Sequence, residues 1–137
     1  MSKVLTLLFF AFLLLTNFPS QAQESQPVLQ TSYLCAGVGD DPNDPKFSTY
    51  NTKIIFTTGG TAYITDVQAK VVEVSSGKVV ADVYCDAPWL LMNLKPGAYN
   101  VTATAIKQYA QSAKLTVSGD KQTALAIRFP QIKGDGL

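Results

Sequence analysis

Alternation of apolar and polar positions dominates the chain from Lys53 onward. It is clearest over residues 99–105, where Tyr, Val and Ala occupy every second position and Asn or Thr stands between them. A period of two residues predicts a strand with one buried face. Similar alternation and short apolar runs predict further strands at residues 54–56, 63–74, 79–84, 89–94, 113–117 and 125–129.

Groups of turn-forming residues separate these strands. They are Gly59-Gly60, Ser76-Gly77-Lys78, Lys95-Pro96-Gly97 and Ser118-Gly119-Asp120. Pro fixes φ at one central turn position, and Gly accepts the positive φ that the next position demands. Strands at intervals of about 8 to 12 residues, without helical periodicity between them, are typical of a sandwich or barrel. The sequence therefore predicts an all-β fold, a single Greek-key β-sandwich of about seven strands.

The first residues differ in kind from the rest. Lys3 precedes an almost continuous apolar run over residues 4–15, Pro19 interrupts it, and Ser20-Gln21-Ala22 offers small residues at the spacing of a cleavage site. A membrane anchor is the rival interpretation, but the run is shorter than the roughly 20 residues that a spanning helix needs. We therefore predict a signal peptide over residues 1–22, export to the periplasm or secretion, and no membrane span after cleavage.

The remaining chain divides into three parts. Residues 23–52 are polar and aperiodic, and Pro42 and Pro45 exclude an ordinary helix interior there. We interpret this part as an N-terminal arm followed by an acidic loop. Residues 53–130 are the predicted β-sandwich domain, and residues 131–137 are a C-terminal tail.

Charge excludes one class of partner. The chain has 11 basic and 10 acidic side chains, and loss of Lys3 with the signal peptide would bring the two into balance. A neutral surface gives no electrostatic reason to bind nucleic acid.

Cys35 and Cys85 are the only cysteines. Two such thiols usually pair in an oxidising compartment. A zinc site is the alternative, but two Cys in a chain without His cannot complete a zinc shell. We therefore expect a disulfide between them.

The run Leu-Lys-Pro-Gly-Ala-Tyr-Asn-Val-Thr-Ala at residues 94–103 resembles the signature of carboxypeptidase regulatory-like domains. These domains carry a Leu, a Pro-Gly turn, and then an aromatic residue with alternating Val and Ala. The hairpin around Gly77 and the turn at Gly119 fit the same pattern, so the resemblance covers residues 54–129. It implies a transthyretin-like (prealbumin-like) sandwich, a carbohydrate-binding-like fold, and it is silent on activity.

A narrower resemblance involves Cys-Ala-Gly-Val-Gly-Asp-Asp at residues 35–41 and Tyr50-Asn51. Small exported bacterial proteins of this domain type often carry Gly-Gly-Val-Gly and an acidic residue, a short helical piece, and then Tyr-Asn. Ala36 stands here in place of the expected Gly, and Pro42 in place of an acidic residue. The resemblance implies export and no particular activity.

The chain contains no histidine, so Ser–His and Cys–His nucleophilic pairs are impossible. Asp40, Asp41 and Asp44 form the densest acidic group, but general acid catalysis needs buried or crowded carboxyls rather than a surface loop. Calcium could use these oxygens together with Asn43, although the spacing lacks the order of a dedicated calcium loop. We therefore predict no enzyme activity, no metal and no cofactor, and interpret the acidic run as a solvated turn.

Two glycines and two aromatic residues remain as candidates for binding. Gly37 and Gly39 could present N–H groups to an anion, but phosphate loops open a helix after a strand, so a tight bend is preferred. Trp89 and Tyr109 are candidate aromatic contacts with a partner. Trp89 is expected to pack at the start of a strand, and Tyr109 lies near an edge turn.

A long loop inside a compact domain is more often functional or disordered than merely connecting. We therefore predict that Gly37, Gly39, Asp40, Asp41 and Asp44 belong to a partner-binding loop without packing duties. The leading hypothesis is a non-catalytic exported module that binds a protein or a carbohydrate partner in the cell envelope. The alternative is a proteinaceous inhibitor of a cell-wall-degrading enzyme, with a hydrolase third.

Overall fold

The computed structural model describes residues 31–134. The predicted signal peptide, the first part of the predicted arm and the end of the tail lie outside these residues. Eight strands are formed: β1 (Tyr33–Ala36), β2 (Thr52–Thr58), β3 (Val67–Glu73), β4 (Val79–Cys85), β5 (Trp89–Met92), β6 (Gly97–Ala105), β7 (Tyr109–Val117) and β8 (Thr123–Phe129). A 3-10 helix spans Pro45–Thr49, with Pro45 in its first turn, where proline is tolerated. Within this part of the chain, no helix is long and apolar enough to cross a membrane.

The strands form two four-stranded sheets. The first, sheet A, has the order β1-β5-β2-β8, and the second, sheet B, has the order β4-β3-β6-β7. Pairing is antiparallel except between β2 and β8, which run parallel. The two sheets enclose one core, which confirms the predicted all-β sandwich. The Greek-key and transthyretin-like assignments stay predictions.

The core lies between the inner faces of the two sheets. Ala69, Ala103 and Ala105 are buried where β3 and β6 lie side by side. Small side chains there leave room for the larger rings of the facing sheet, and Phe56 on β2 and Phe129 on β8 are fully buried in the same cluster. The alternating apolar and polar positions of the sequence therefore form the inner and outer faces of the strands, as predicted.

Several predicted boundaries differ from the structure: β2, β7 and β8 are longer than predicted, and β5 ends at Met92 rather than at Leu94. β1 lies within the predicted arm, where it pairs along its full length with β5. The strand predicted over residues 63–74 begins only at Val67; before it, Tyr63 forms an isolated bridge with Thr57, and Asp66 has a φ of 64°. A positive φ turns the chain out of the extended conformation, so the prediction was wrong for residues 64–66.

The predicted turns that join β3 to β4 and β5 to β6 are confirmed. Gly77 has a φ of 71° and donates its N–H to the Glu73 carbonyl at 2.8 Å. Gly97, after Pro96, has a φ of 151°. Both values favour glycine because a Cβ would crowd the backbone there.

One side of the sandwich is closed by a disulfide. Cys35 lies on β1 at the edge of sheet A, Cys85 lies on β4 at the edge of sheet B, and their Cα atoms are 5.5 Å apart. Thr31 adds hydrogen bonds from its N–H and its hydroxyl to the Val80 carbonyl, at 3.3 and 3.2 Å. The predicted disulfide is confirmed, and it joins the two sheets.

Replacing both cysteines by serine should lower the free energy of unfolding by about 4 kcal/mol. The disulfide joins residues 50 positions apart and so reduces the conformational entropy of the unfolded chain, and the variant would regain that entropy. Urea unfolding of the wild type and the double variant measures the difference. Reducing agent should lower the free energy of unfolding of the wild type to that of the variant, and it should not change the stability of the variant. Equal stability of the two oxidised proteins would contradict the expectation.

Candidate functional site

The acidic loop after β1 is built on carboxylates that accept backbone hydrogen bonds. Asp40 Oδ2 accepts from the N–H of Gly37 at 2.8 Å, and Asp41 Oδ1 from the N–H of Asn43 at 2.9 Å. Asp44 Oδ1 accepts from the N–H of Lys46 at 3.0 Å and so caps the 3-10 helix. Short Asp side chains stabilise turns and helix starts in this way. The three carboxylates therefore have structural duties that the sequence did not reveal.

The same loop has a packing duty as well. Phe47, in the 3-10 helix, is 3% exposed and packs with Trp89 and Leu91 on the outer face of sheet A. Phe47 lies just outside the predicted partner-binding segment, residues 37–44. The prediction that this segment has no packing duties was wrong because Gly37 lies against the ring of Trp89. Among residues 31–134, no group of His, Cys, Asp or Glu side chains is arranged to hold a metal ion.

Trp89 is stacked between two groups. A Cβ placed on Gly37 would lie 2.8 Å from Trp89 Cδ2 and 3.0 Å from Cε2, so Gly37 covers the indole over its fused bond. Lys53 Nζ lies 3.9 Å from the ring centroid. Gly37 follows β1 and Lys53 lies on β2, so the two groups approach the ring from the two strands that flank β5. Gly37 is therefore required by close approach to the ring as well as by its φ of 110°.

The edges of the indole are also covered. The ring centroid of Phe47 lies 5.6 Å away and that of Tyr63 6.3 Å away, both in edge-to-face arrangement. Trp89 is 5% exposed, and its N–H has no hydrogen-bond partner among the described residues. Trp89 thus packs at the start of β5, as expected, and its ring is not a surface available for a partner.

Lys53 and Trp89 form a cation–π pair. Burial lowers the pKa of the Lys53 amine, because a less polar environment disfavours the charged form. The negative face of the indole attracts the ammonium group and opposes that loss. The pair holds β2 and β5 together on the outer face of sheet A, where Ile55 of β2 also lies opposite Trp89.

One end of the sandwich concentrates exposed apolar side chains. We name it the loop end; it comprises the loops that follow β1, β2, β4 and β6, together with the last residues of β4. Tyr63, Ile106 and Val38 are 56%, 60% and 68% exposed in these loops, and Tyr84, near the end of β4, is 54% exposed. Four of the six large apolar side chains that are exposed within residues 31–134 lie there. These four side chains are the candidates for an apolar contact surface at this end.

The loop end also contains the backbone strain of the described chain. Apart from glycines, the residues with positive φ in residues 31–134 are Asp66 at 64°, Ile106 at 55° and Lys107 at 55°. Ile106 and Lys107 are the central residues of the turn between β6 and β7, which the N–H of Gln108 closes on the Ala105 carbonyl at 3.0 Å. Such turns favour Asn-Gly, and a β-branched residue in this conformation is a genuine outlier.

Tyr84 introduces a polar element at this end. Its hydroxyl donates a hydrogen bond to Asp66. That hydrogen bond, with smaller contributions from desolvation and from the negative charges of Asp66 and Asp86, raises the pKa of Tyr84. Asp66 and Asp86 therefore place two negative charges near this exposed tyrosine.

The sequence-predicted candidates are divided between two places. Gly37 and Asp40 lie together at the start of the acidic loop, within the loop end, while Asp44 caps the 3-10 helix further along. Tyr109 is half-buried at the start of β7, directly after the strained turn. Ile106 was missed, because an aliphatic residue in a hairpin turn carries no sequence signal for either strain or exposure.

No protein-family model matches the chain, and no curated protein matches it.

Gly37→Ala should destabilise the protein by about 2 kcal/mol, because an alanine has a strained backbone at positive φ and its Cβ would overlap the indole. Gly39→Ala is the matched control. It has a φ of 74° and open space around its Cβ, so only the backbone strain of about 1 kcal/mol applies. Chemical unfolding of the two variants measures the difference, and equal losses would show that the Gly37–Trp89 contact is not close.

Asp66→Gly should lower the pKa of Tyr84 toward its ordinary value of 10.0, because the variant removes the hydrogen bond and the charge while glycine accepts the positive φ. Asp86→Asn, which removes only a smaller contribution, should lower it less. Tyrosinate absorbance during an alkaline titration, taken as a difference from Tyr84→Phe, reports this one residue. Equal effects of the two variants would contradict the geometry.

Proposed function

We propose that this chain is a non-catalytic exported module that binds a partner protein through its loop end. The observation that carries the proposal is the coincidence, at one end of the sandwich, of exposed apolar side chains with strained backbone. Strained backbone persists where the rest of the structure enforces it, most often at binding and catalytic sites. Loops on a rigid sandwich are a common way to display such a surface.

A binding role is favoured over catalysis by the distribution of polar groups. The chain has no histidine, and within residues 31–134 the buried polar or charged residues are Thr52 and Thr58. Carboxyl groups that act as general acids are held in buried or crowded sites. The carboxylates of the acidic loop are instead accessible and bonded to backbone N–H groups, which suits a recognition surface.

Export is supported by two features of the sequence and structure. The amino-terminal pattern is that of a signal peptide, and the disulfide between Cys35 and Cys85 requires an oxidising compartment to persist. The resemblance to carboxypeptidase regulatory-like domains adds support for a transthyretin-like Greek-key scaffold in the periplasm or outside the cell.

A protein partner fits the loop end better than a carbohydrate. Sugar rings stack on flat aromatic faces, whereas two of the four exposed apolar side chains, Val38 and Ile106, are aliphatic. An aliphatic side chain at the tip of a hairpin suits an apolar pocket of a folded protein. Tyr63 and Tyr84 supply the amphipathic contacts that protein interfaces favour.

Inhibition of a cell-wall-degrading enzyme is the second candidate. The observation that favours it is the negative charge of Asp40, Asp66 and Asp86 beside the exposed apolar residues, which would complement a basic cleft. Addition of the purified protein to a cell-wall lysis assay tests this candidate directly. Inhibition that Ile106→Asn and Asp66→Gly both relieve would support it.

Ile106→Asn should abolish capture of the partner and raise the free energy of unfolding by about 1 kcal/mol, because asparagine accepts positive φ more readily than isoleucine. The immobilised protein is incubated with cell-envelope extract, and bound proteins and polysaccharides are identified. Val74→Asn is the matched control, since Val74 is 52% exposed at the opposite end. It should leave capture unchanged. Capture that survives Ile106→Asn, or that is lost equally in Val74→Asn, would contradict the proposal, and a captured polysaccharide would replace the protein partner.

A further inference from the structure

The sheet edges on the two sides of the sandwich are protected to different extents. On one side, β1 is only four residues long and is bonded through Cys35 to β4, whose Val80 carbonyl accepts hydrogen bonds from Thr31. Short strands, cross-links and covering segments all protect sheet edges from further pairing. On the other side lie β7 and β8, and no disulfide or covering strand joins them in residues 31–134.

β7 is the longest strand that forms a sheet edge. It has nine residues and pairs with β6 in unbroken register from Gly97↔Val117 to Ala105↔Tyr109. No bulge or proline interrupts it, and Lys114 is its single charged residue. Natural proteins usually interrupt such an edge, because its free N–H and carbonyl groups can pair with another strand.

The hydrogen-bonding direction of β7 follows from its neighbours. The Ala98 carbonyl of β6 accepts from Val74, next to β3, whereas the Ala105 carbonyl accepts from Gln108, next to β7. In an antiparallel ladder, alternate residues bond to opposite sides. Odd-numbered residues of β6 therefore bond to β7. Their partners in β7 are also odd-numbered, so the backbone groups of the even-numbered residues of β7 face the open edge. These are Ala110, Ser112, Lys114 and Thr116.

Core residues beside this edge are incompletely covered. Tyr109 and Ala113 on β7 and Leu125 on β8 are packed against the core but only partly buried. An added strand would cover them further, and burial of apolar surface favours association.

We propose that a second copy of this chain adds to the open edge of β7 by antiparallel pairing of the two β7 strands about Ala113. This register places Ser112 opposite Lys114 of the second copy and Ala110 opposite Thr116. All four residues that face the edge are then paired in both copies, with about eight backbone hydrogen bonds. In a different register, Lys114 would lie opposite Lys114 of the second copy. Two positive charges would then be neighbours, which destabilises a sheet.

Self-pairing is favoured over the addition of an unrelated peptide by this complementarity. One strand satisfies every open group of the other, and the small side chains at Ala110, Ser112 and Ala113 allow close approach. The result is a continuous eight-stranded sheet with a two-fold axis through Ala113. The loop ends remain free in this arrangement, so the inference stands apart from the proposed function.

Charge substitution at Ser112 tests both the interface and its register. Ser112→Lys places a lysine against Lys114 twice in the dimer and should weaken self-association about tenfold, whereas Ser112→Asp should strengthen it by a similar factor. Ser112→Lys combined with Lys114→Ser should restore wild-type association. Thr104→Lys, on the neighbouring strand of the same sheet, is the matched control and should have no effect.

Sedimentation equilibrium over a concentration series measures the dissociation constants, and a thermal melt of each variant verifies that it is folded. Amide hydrogen exchange gives an independent readout, since the N–H groups of Ala110, Ser112, Lys114 and Thr116 should become protected as concentration rises. A wild-type protein that stays monomeric throughout would overturn the proposal. A dimer whose dissociation constant does not change in the Ser112 variants would also overturn the proposal, because its interface would lie elsewhere, for instance on β8.

Discussion

The bond between Cys35 and Cys85 determines where the amino-terminal part of the described chain lies. β1 is too short to hold its place by hydrogen bonds to β5 alone, and the disulfide fixes it at the edge of sheet A. Ala36 is then set opposite Trp89, and Gly37 follows onto the face of the indole. From that contact the chain turns back along the outer face of sheet A, and the 3-10 helix places Phe47 against Trp89 and Leu91. The positions of β1, of Gly37 and of the 3-10 helix on sheet A therefore all follow from this disulfide.

The outer faces of the two sheets consequently differ. Sheet A has a second, smaller apolar cluster on its outside, formed by Ala36, Phe47, Trp89 and Leu91 and closed by the acidic loop. Sheet B presents polar side chains outward, with exposed contacts such as the hydrogen bond between Thr102 and Ser112. The acidic loop therefore acts as a cover over one sheet, and its aspartates keep that cover in shape.

Sequence periodicity predicted most of the sandwich because alternation is a local property, and burial preserved it. It did not predict β1, whose four residues, Tyr-Leu-Cys-Ala, show no alternation of polar and apolar positions and whose pairing depends on a cysteine 50 residues away. The strand at Tyr63 was predicted too early because nothing in the sequence shows that Asp66 adopts a positive φ. The disulfide could be predicted from two cysteines and a predicted signal peptide, whereas the loop end could not. It depends on which loops the topology brings to the same end, and on the conformation of Ile106, both of which are properties of the folded chain.

The parallel pairing of β2 with β8 has a consequence for how the molecule comes into being. β2 is the first long strand in the chain and β8 is the last, and they pair over their full length from Thr52↔Thr123 to Thr58↔Phe129. A chain that lacked β8 would therefore have a sheet A that ends at β2, with Ile54 and Phe56 lacking their flanking strand. Because contacts between distant parts of the chain form late and slowly, sheet B, whose neighbouring strands include two hairpins, can form ahead of sheet A. The last strand of the described chain therefore completes the sheet that its first strands began.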